Sequence, residues 1–376
     1  MKLSNRLKKI FGGLPAVLAA ALMLAGPVYA DSGATHKVRN LHFGVSGGNV
    51  NDRSTAFCCS GTLGSLVQDS DLVKYILSNN HVLGRSGKAV AGEDVSQPGM
   101  IDYFCQIATV VGDFTKAPAL ISGVDAAIAQ LREGQMDATG SIQDIGTISS
   151  VVKAASVGLS VAKSGRTTGF TTGAVASVST AVKVRYSKGC GSGGGSTYTF
   201  PNQVLINSST FSAGGDSGSL IVTNDACHQP VALLFAGSST STVGNPAGTV
   251  LTKVGTALGR PVSFVGGTCS NGAAAGSQTA TPSEALVQNA ARVKEEHERD
   301  LMSRPFVHGV GVGADDMNPA EAVIVVYMEH PGRGEPQVPD QIRGVRVKRV
   351  YTDAFVAGGG CCETCGATTA SKTKSK

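Results

Sequence analysis

Between about residues 41 and 267 the apolar residues come in short runs broken by Gly, Ser, Asn and Asp. Residues 61–67, 74–78, 107–111, 173–178, 182–186, 203–206, 218–222 and 231–235 are such runs. Some alternate apolar with polar side chains and others are apolar throughout. Both patterns predict short strands at the spacing of barrels or sandwiches, so this region reads as all-β. Residues 188–197 (KGCGSGGGST) carry too many glycines for a regular element and read as a loop. After residue 267 the pattern changes. Residues 270–281 are small and polar and read as a linker. Residues 283–302 then place Leu286, Ala290, Val293 and Leu301 at helical spacing, with charges between. Apolar runs at 307–312, 322–329 and 345–351, with a turn or short helix at 339–342, complete a small α/β C-terminal module. The expected organisation is a leader at 1–30, a domain at 31–267, a linker and helix at 268–300, and the small module at 301–376. The polar, basic residues 368–376 read as a tail without structure, and there is no internal repeat.

The N-terminus changes the charge picture. Lys2, Arg6, Lys8 and Lys9 precede an apolar run at 14–25, and Pro27-Val28-Tyr29-Ala30 precedes Asp31. This is the order of an export signal, and the apolar run is short for a membrane anchor. The segment holds four basic and no acidic residues, which accounts for most of the formal charge of +5. The expected mature chain, from Asp31, is close to neutral, with no nucleic-acid partner and no stable membrane anchor implied. A secreted or periplasmic location is expected. There the cysteines at 58, 59, 105, 190, 227, 269, 361, 362 and 365 favour a disulfide framework with one thiol left over.

Three residues stand out chemically. Gly215-Asp216-Ser217-Gly218 places a serine in a glycine-rich turn between apolar runs, where backbone N–H groups can converge on an oxyanion. A serine nucleophile needs a base, and His81, at the polar end of the 74–78 run, is the most suitable of seven histidines. The base needs a carboxylate to set its tautomer. Asp125, lone among the apolar residues of 123–131, suits this, although an aspartate before Ala-Ala-Ile can also cap a helix. Asp102 and Asp113 are weaker candidates.

The chain order His, Asp, Ser is that of one triad architecture. Leu77-Ser-Asn-Asn-His81, Asp125-Ala-Ala-Ile128 and Gly215-Asp-Ser-Gly218 resemble the three catalytic motifs of trypsin/chymotrypsin-like serine peptidases. Lys163-Ser-Gly-Arg-Thr-Thr-Gly169 is similar to the strand opening the second barrel of bacterial members, and the likeness spans about residues 58–258. The resemblance implies a chymotrypsin-like double β-barrel, a polypeptide substrate, no cofactor and no metal. It also implies a triad of His81, Asp125 and Ser217, with the amides of Gly215 and Ser217 as oxyanion hole. In this family Asp216 needs a buried cationic partner, for which Lys163 is the candidate and Arg166 the runner-up. The specificity pocket would lie near Ala213, Ala236, Gly237, Ser238 and Asn245, without an acidic floor, which suits small or apolar side chains. A disulfide between Cys190 and Cys227 is expected, because the two flank the nucleophile region.

Other readings stand beside these. The same barrels can serve as a catalytically silent binding protein, or the C-terminal module can carry the function. Cys362-Glu-Thr-Cys365 lacks a second ligand pair for zinc and suits disulfide chemistry better. Gly309-Val-Gly-Val-Gly313 lacks the Lys-Ser/Thr of a phosphate loop and reads as a glycine-rich strand.

Overall fold

The computed structural model describes residues 36–190, 195–269, 280–329 and 338–358, together with the backbone of 360–363. The expected leader and Asp31, the loop tip at 191–194, the linker residues 270–279, the side chains of Cys361 and Cys362, Cys365 and the tail lie outside the described residues.

The first barrel is built from β1 (Val45–Asn49), β2 (Phe57–Leu63), β3 (Ser65–Asp69), β4 (Lys74–Ser78), β5 (Asp94–Gln97), β6 (Thr109–Lys116) and β7 (Ala127–Leu131), with the single-turn helix α1 (Asn80–Leu83) after β4. The pairing order is β3, β4, β7, β6, β5, β1, β2. Because β2 runs into β3 through Gly64 alone, the order closes on itself and the apolar faces meet inside. Leu63, Leu66, Ile76, Val95, Val111 and Ile128 are all buried there. Residues 61–67, expected as one strand, are therefore two strand segments with a sharp bend between them.

The second barrel uses β8 (Ser160–Gly165), β9 (Gly169–Ser187), β10 (Gly195–Asn207), β11 (Leu220–Thr223), β12 (Pro230–Gly237) and β13 (Ser241–Pro246). The order β10, β13, β12, β11, β8, β9 is closed by β9 pairing with β10. The runs at 173–178 and 182–186 belong to the one long strand β9. Helix α2 (Ala247–Leu258), which strand-like patterning hid, buries Val250 and Val254 against the core of the first barrel, and β14 (Val262–Phe264) pairs with β3.

The C-terminal region contains α3 (Glu284–Ser303), β15 (Val307–Ala314), β16 (Ala322–Met328), β17 (Gln341–Ile342), β18 (Val345–Tyr351), β19 (Phe355–Ala357) and β20 (Gly360–Glu363). Ser283 caps α3 by accepting from the Leu286 N–H, as its sequence suggests. The glycine-rich run is strand β15, and residues 339–342 form the short strand β17 rather than a helix. This region is not set apart. β15 pairs with β9, β16 and β18 continue the same sheet, and no boundary divides them from the barrels. A Cβ on Gly311 would stand 2.2 Å from the Thr180 hydroxyl oxygen, so glycine here lets the two strands pair.

The expected Cys190–Cys227 disulfide is corrected. Cys190 bonds Cys59, Cys227 bonds Cys269, and Cys58 bonds Cys105. Proximity along the chain does not decide this pairing, because the loop after β9 reaches across to the first barrel while Cys227 faces the chain leaving β14.

Candidate active site

Neighbouring strands bring the histidine and aspartate together. β4 pairs with β7, with Ser78 opposite Ala127, so the residues just after β4 lie beside those just before β7. His81 in α1 and Asp125 ahead of β7 are consequently adjacent. The His81 Nδ1–H donates to Asp125 Oδ2 at 2.6 Å, and the His81 backbone N–H donates to Oδ1 at 3.2 Å. Asp125 caps no helix; a strand follows it.

Asp125 is fully buried, and donors from elsewhere in the chain complete its shell. The Tyr186 hydroxyl donates to Oδ2 at 2.8 Å, Asn79 Nδ2 donates to the Asp125 carbonyl, and the Asp125 N–H donates to Asn245 Oδ1. Burial first, and then the Asp125 charge, hold the Tyr186 phenol well above its ordinary pKa, so it remains a donor. Sequence reasoning missed Tyr186 because it sits in another barrel, on β9. It also placed Asn245 in the specificity pocket, whereas Asn245 lies behind Asp125. With Nδ1 donating to a carboxylate, a neutral His81 keeps its lone pair on Nε2, which has no hydrogen-bond partner among the described residues.

Ser217 lies in the turn before β11, at the junction of the barrels. Thr62 of β2 grips this turn: its N–H donates to the Ser217 carbonyl and its hydroxyl to the Gly215 carbonyl, at 2.8 and 2.9 Å. Gly215 and Gly218 have φ of +101° and +99°, which side chains rarely adopt. The Ser217 hydroxyl donates to the Gly358 carbonyl at 3.3 Å.

Asp216 points away from Ser217 into a buried cage. It accepts from the backbone N–H groups of Ala213, Thr167 and Thr168 and from the Thr168 hydroxyl. Lys163 Nζ lies 3.5 Å from Asp216 Oδ2 and also donates to Thr168 Oγ1 and the Gly169 carbonyl. Both charged side chains are fully buried. Burial lowers the Lys163 pKa and Asp216 opposes that. Arg166, the runner-up, instead makes a two-pronged pair with Asp102 at 2.6 Å, and Asp113 pairs with Arg132. Neither alternative acid approaches His81.

A cavity of about 380 Å³ opens beside Ser217, lined by Ala213, Gly214, Ala236, Gly237 and Ser238 of the second barrel and closed on one side by Asp353 to Gly358. The second-barrel residues in its lining are uncharged, and Asp353 of the C-terminal segment is its acidic lining residue. Among the described residues no cluster of His, Cys, Asp or Glu is arranged to hold a metal ion, and no helix is long and apolar enough to cross a membrane.

No protein-family model matches the chain, and no curated protein matches it in sequence. Among solved structures, a glutamic-acid-specific serine protease is 22% identical and covers 59% of this chain and 98% of its own, with a TM-score of 0.40. Protease A of Thermobifida fusca is 18% identical over the same shares, at a TM-score of 0.38. A Nocardiopsis protease is 16% identical, covering 58% of this chain and 97% of its own, at 0.37. These scores are low, and the architecture stands on this chain's own strand pairing, in which each sheet closes into a barrel and the Ser217 turn lies between the two. Its own strand pairing gives the chain a chymotrypsin-like double β-barrel fold.

Proposed function

We propose that the protein is an exported serine endopeptidase that hydrolyses peptide bonds through an acyl-enzyme on Ser217. The observation that carries this reading is the His81–Asp125 pair. A buried Nδ1–H bonded to a carboxylate sets the tautomer in which Nε2 can accept a proton, and Asp125 stabilises the imidazolium that results. In the reaction Ser217 Oγ forms a bond to the substrate carbonyl carbon while its proton moves to His81 Nε2. The carbonyl π electrons move onto oxygen, which the N–H groups of Gly215 and Ser217 stabilise. Collapse expels the amine, which takes the proton from His81. Water then repeats the sequence on the ester and frees Ser217.

Asp216 and Lys163 support the site without touching substrate. Their cage sets the backbone between Ala213 and Ser217, and so the direction of the Gly215 N–H. The disulfides and the leader-like N-terminus support an oxidising location outside the cytoplasm, secreted or periplasmic. The small neutral residues that the second barrel contributes to the cavity favour a small or apolar side chain at the cleavage site.

Reaction of the purified mature chain with a fluorophosphonate tests the assignment. The label should map to Ser217 and be absent from Ser217→Ala, and His81→Ala should lower labelling and peptide hydrolysis by roughly four orders of magnitude with folding intact. A silent binding scaffold predicts an unlabelled wild type.

A further inference from the structure

We infer that the C-terminal segment 352–358 is a built-in inhibitor that occupies the substrate cleft of this site. The inference rests on the endopeptidase reading above.

Strand β12 pairs with β13 along one edge, but β11 covers its other edge only as far as Leu233. Beyond that point, Leu234 to Gly237 run beside the nucleophile turn, whose Gly218 N–H donates to the Leu234 carbonyl. An extended peptide reaching Ser217 gains backbone hydrogen bonds by adding to this edge. The chain's own β19 is already there. Val356 pairs antiparallel with Gly237, and on its other side β19 runs parallel to β9, with Phe355 opposite Val184.

Contacts on both sides hold the segment in line. The Ser238 and Thr352 hydroxyls bond at 2.5 Å, and the Ser239 hydroxyl donates to Asp353 Oδ2 at 2.5 Å. Phe355 is buried in a cluster with Val184, Phe200 and Phe235, whereas the Val356 side chain is 41% exposed. At the far end the Gly358 carbonyl meets the Ser217 hydroxyl. Gly360 pairs with Ser60 on the first barrel. Gly358 thus lines both the cavity beside Ser217 and the cavity beside His81.

Two features mark it as an inhibitor rather than a substrate. The Ser217 hydroxyl donates to the Gly358 carbonyl oxygen, so its proton is turned away from His81 Nε2 and its attack is not primed. The residue beside the nucleophile is a glycine, which puts no side chain into the 380 Å³ cavity and forgoes the burial that holds a good substrate in register.

Fluorophosphonate labelling of the full mature chain tests this through Val356→Pro. The substitution removes a backbone donor from β19 and leaves the buried Phe355 in place. Labelling should accelerate about tenfold, the shift in population expected from losing one or two hydrogen bonds, and Val356→Ala should match wild type. An acetylated, amidated peptide of sequence Thr-Asp-Ala-Phe-Val-Ala-Gly should slow the Pro variant again. Asp353→Ala removes only an exposed latch and should accelerate labelling severalfold, which keeps the test intact should the Pro variant misfold. Equal rates in wild type and Asp353→Ala, with the label on Ser217, would overturn the inhibitor and leave the endopeptidase standing. No labelling of Ser217 in any variant would overturn both.

Discussion

At the residue scale, buried charge sets the stakes. Lys163 and Asp216 are held out of water, and each is tolerated because of the other and of Thr168. Lys163→Met should cost roughly 3–5 kcal/mol in chemical denaturation, since an unpaired carboxylate would stay behind. It should also abolish Ser217 labelling, although the residue never reaches substrate. Arg166→Met loses the pair with Asp102 and leaves the Asp216 cage whole, so it should keep its labelling. Asp52, which shares a cavity lining with His81, behaves differently. Burial pushes its carboxyl up to about 6, while His81, Arg85 and Lys88 pull it down. A folded pKa above the unfolded value means that the stability Asp52 contributes is complete below about pH 4 and is lost as pH rises through about 6. Asp52→Asn should therefore raise the melting temperature more at pH 7.5 than at pH 4.5. Thermal melts at the two values, compared with wild type, check the sign.

At the scale of elements, the decisive points are bends and junctions. Gly64 lets β2 turn into β3, and a Cβ there would stand 1.9 Å from the Gly218 carbonyl oxygen. Backbone cannot yield that far without moving the turn that carries Ser217. Gly64→Ala should destabilise the fold by about 3 kcal/mol and lower labelling in the same preparation. Many strands are legible from their runs of apolar residues. The end of β4 and the start of β7 are legible too, which is why His81 and Asp125 stand out. The sharp break inside 61–67 is not legible, because glycine within an apolar run can mark a bend, a bulge or nothing. Helix α2 escapes notice because Val250 and Val254 also fit a strand. Disulfide partners escape for a different reason: pairing depends on which loops meet in space, and Cys59 is 131 residues from Cys190.

For the whole molecule, the C-terminal region shares its sheet and a core cluster with the second barrel. A chain ending at Gly267 would keep every strand of both barrels up to the polar linker. It would strip β15 from β9, remove Phe355 and Tyr327 from a shared core, and leave Cys227 without Cys269. Expressed this way, the protein should be largely insoluble, as a sedimentation assay of the export fraction would report; a soluble, labelled fragment would show that the barrels stand alone. The sequence by itself pointed to many of the strand segments and to the serine, histidine and aspartate that carry chemical promise. Each of these depends on neighbours along the chain, through periodicity, turn residues and the company a polar group keeps. Only the tertiary structure decided that Tyr186 completes the shell of Asp125, that Thr62 grips the turn carrying Ser217, and that Val356 pairs with Gly237 near Ser217. Those contacts join residues more than a hundred positions apart or on separate strands, and their energy comes from burial and hydrogen bonds that exist only once both barrels have closed.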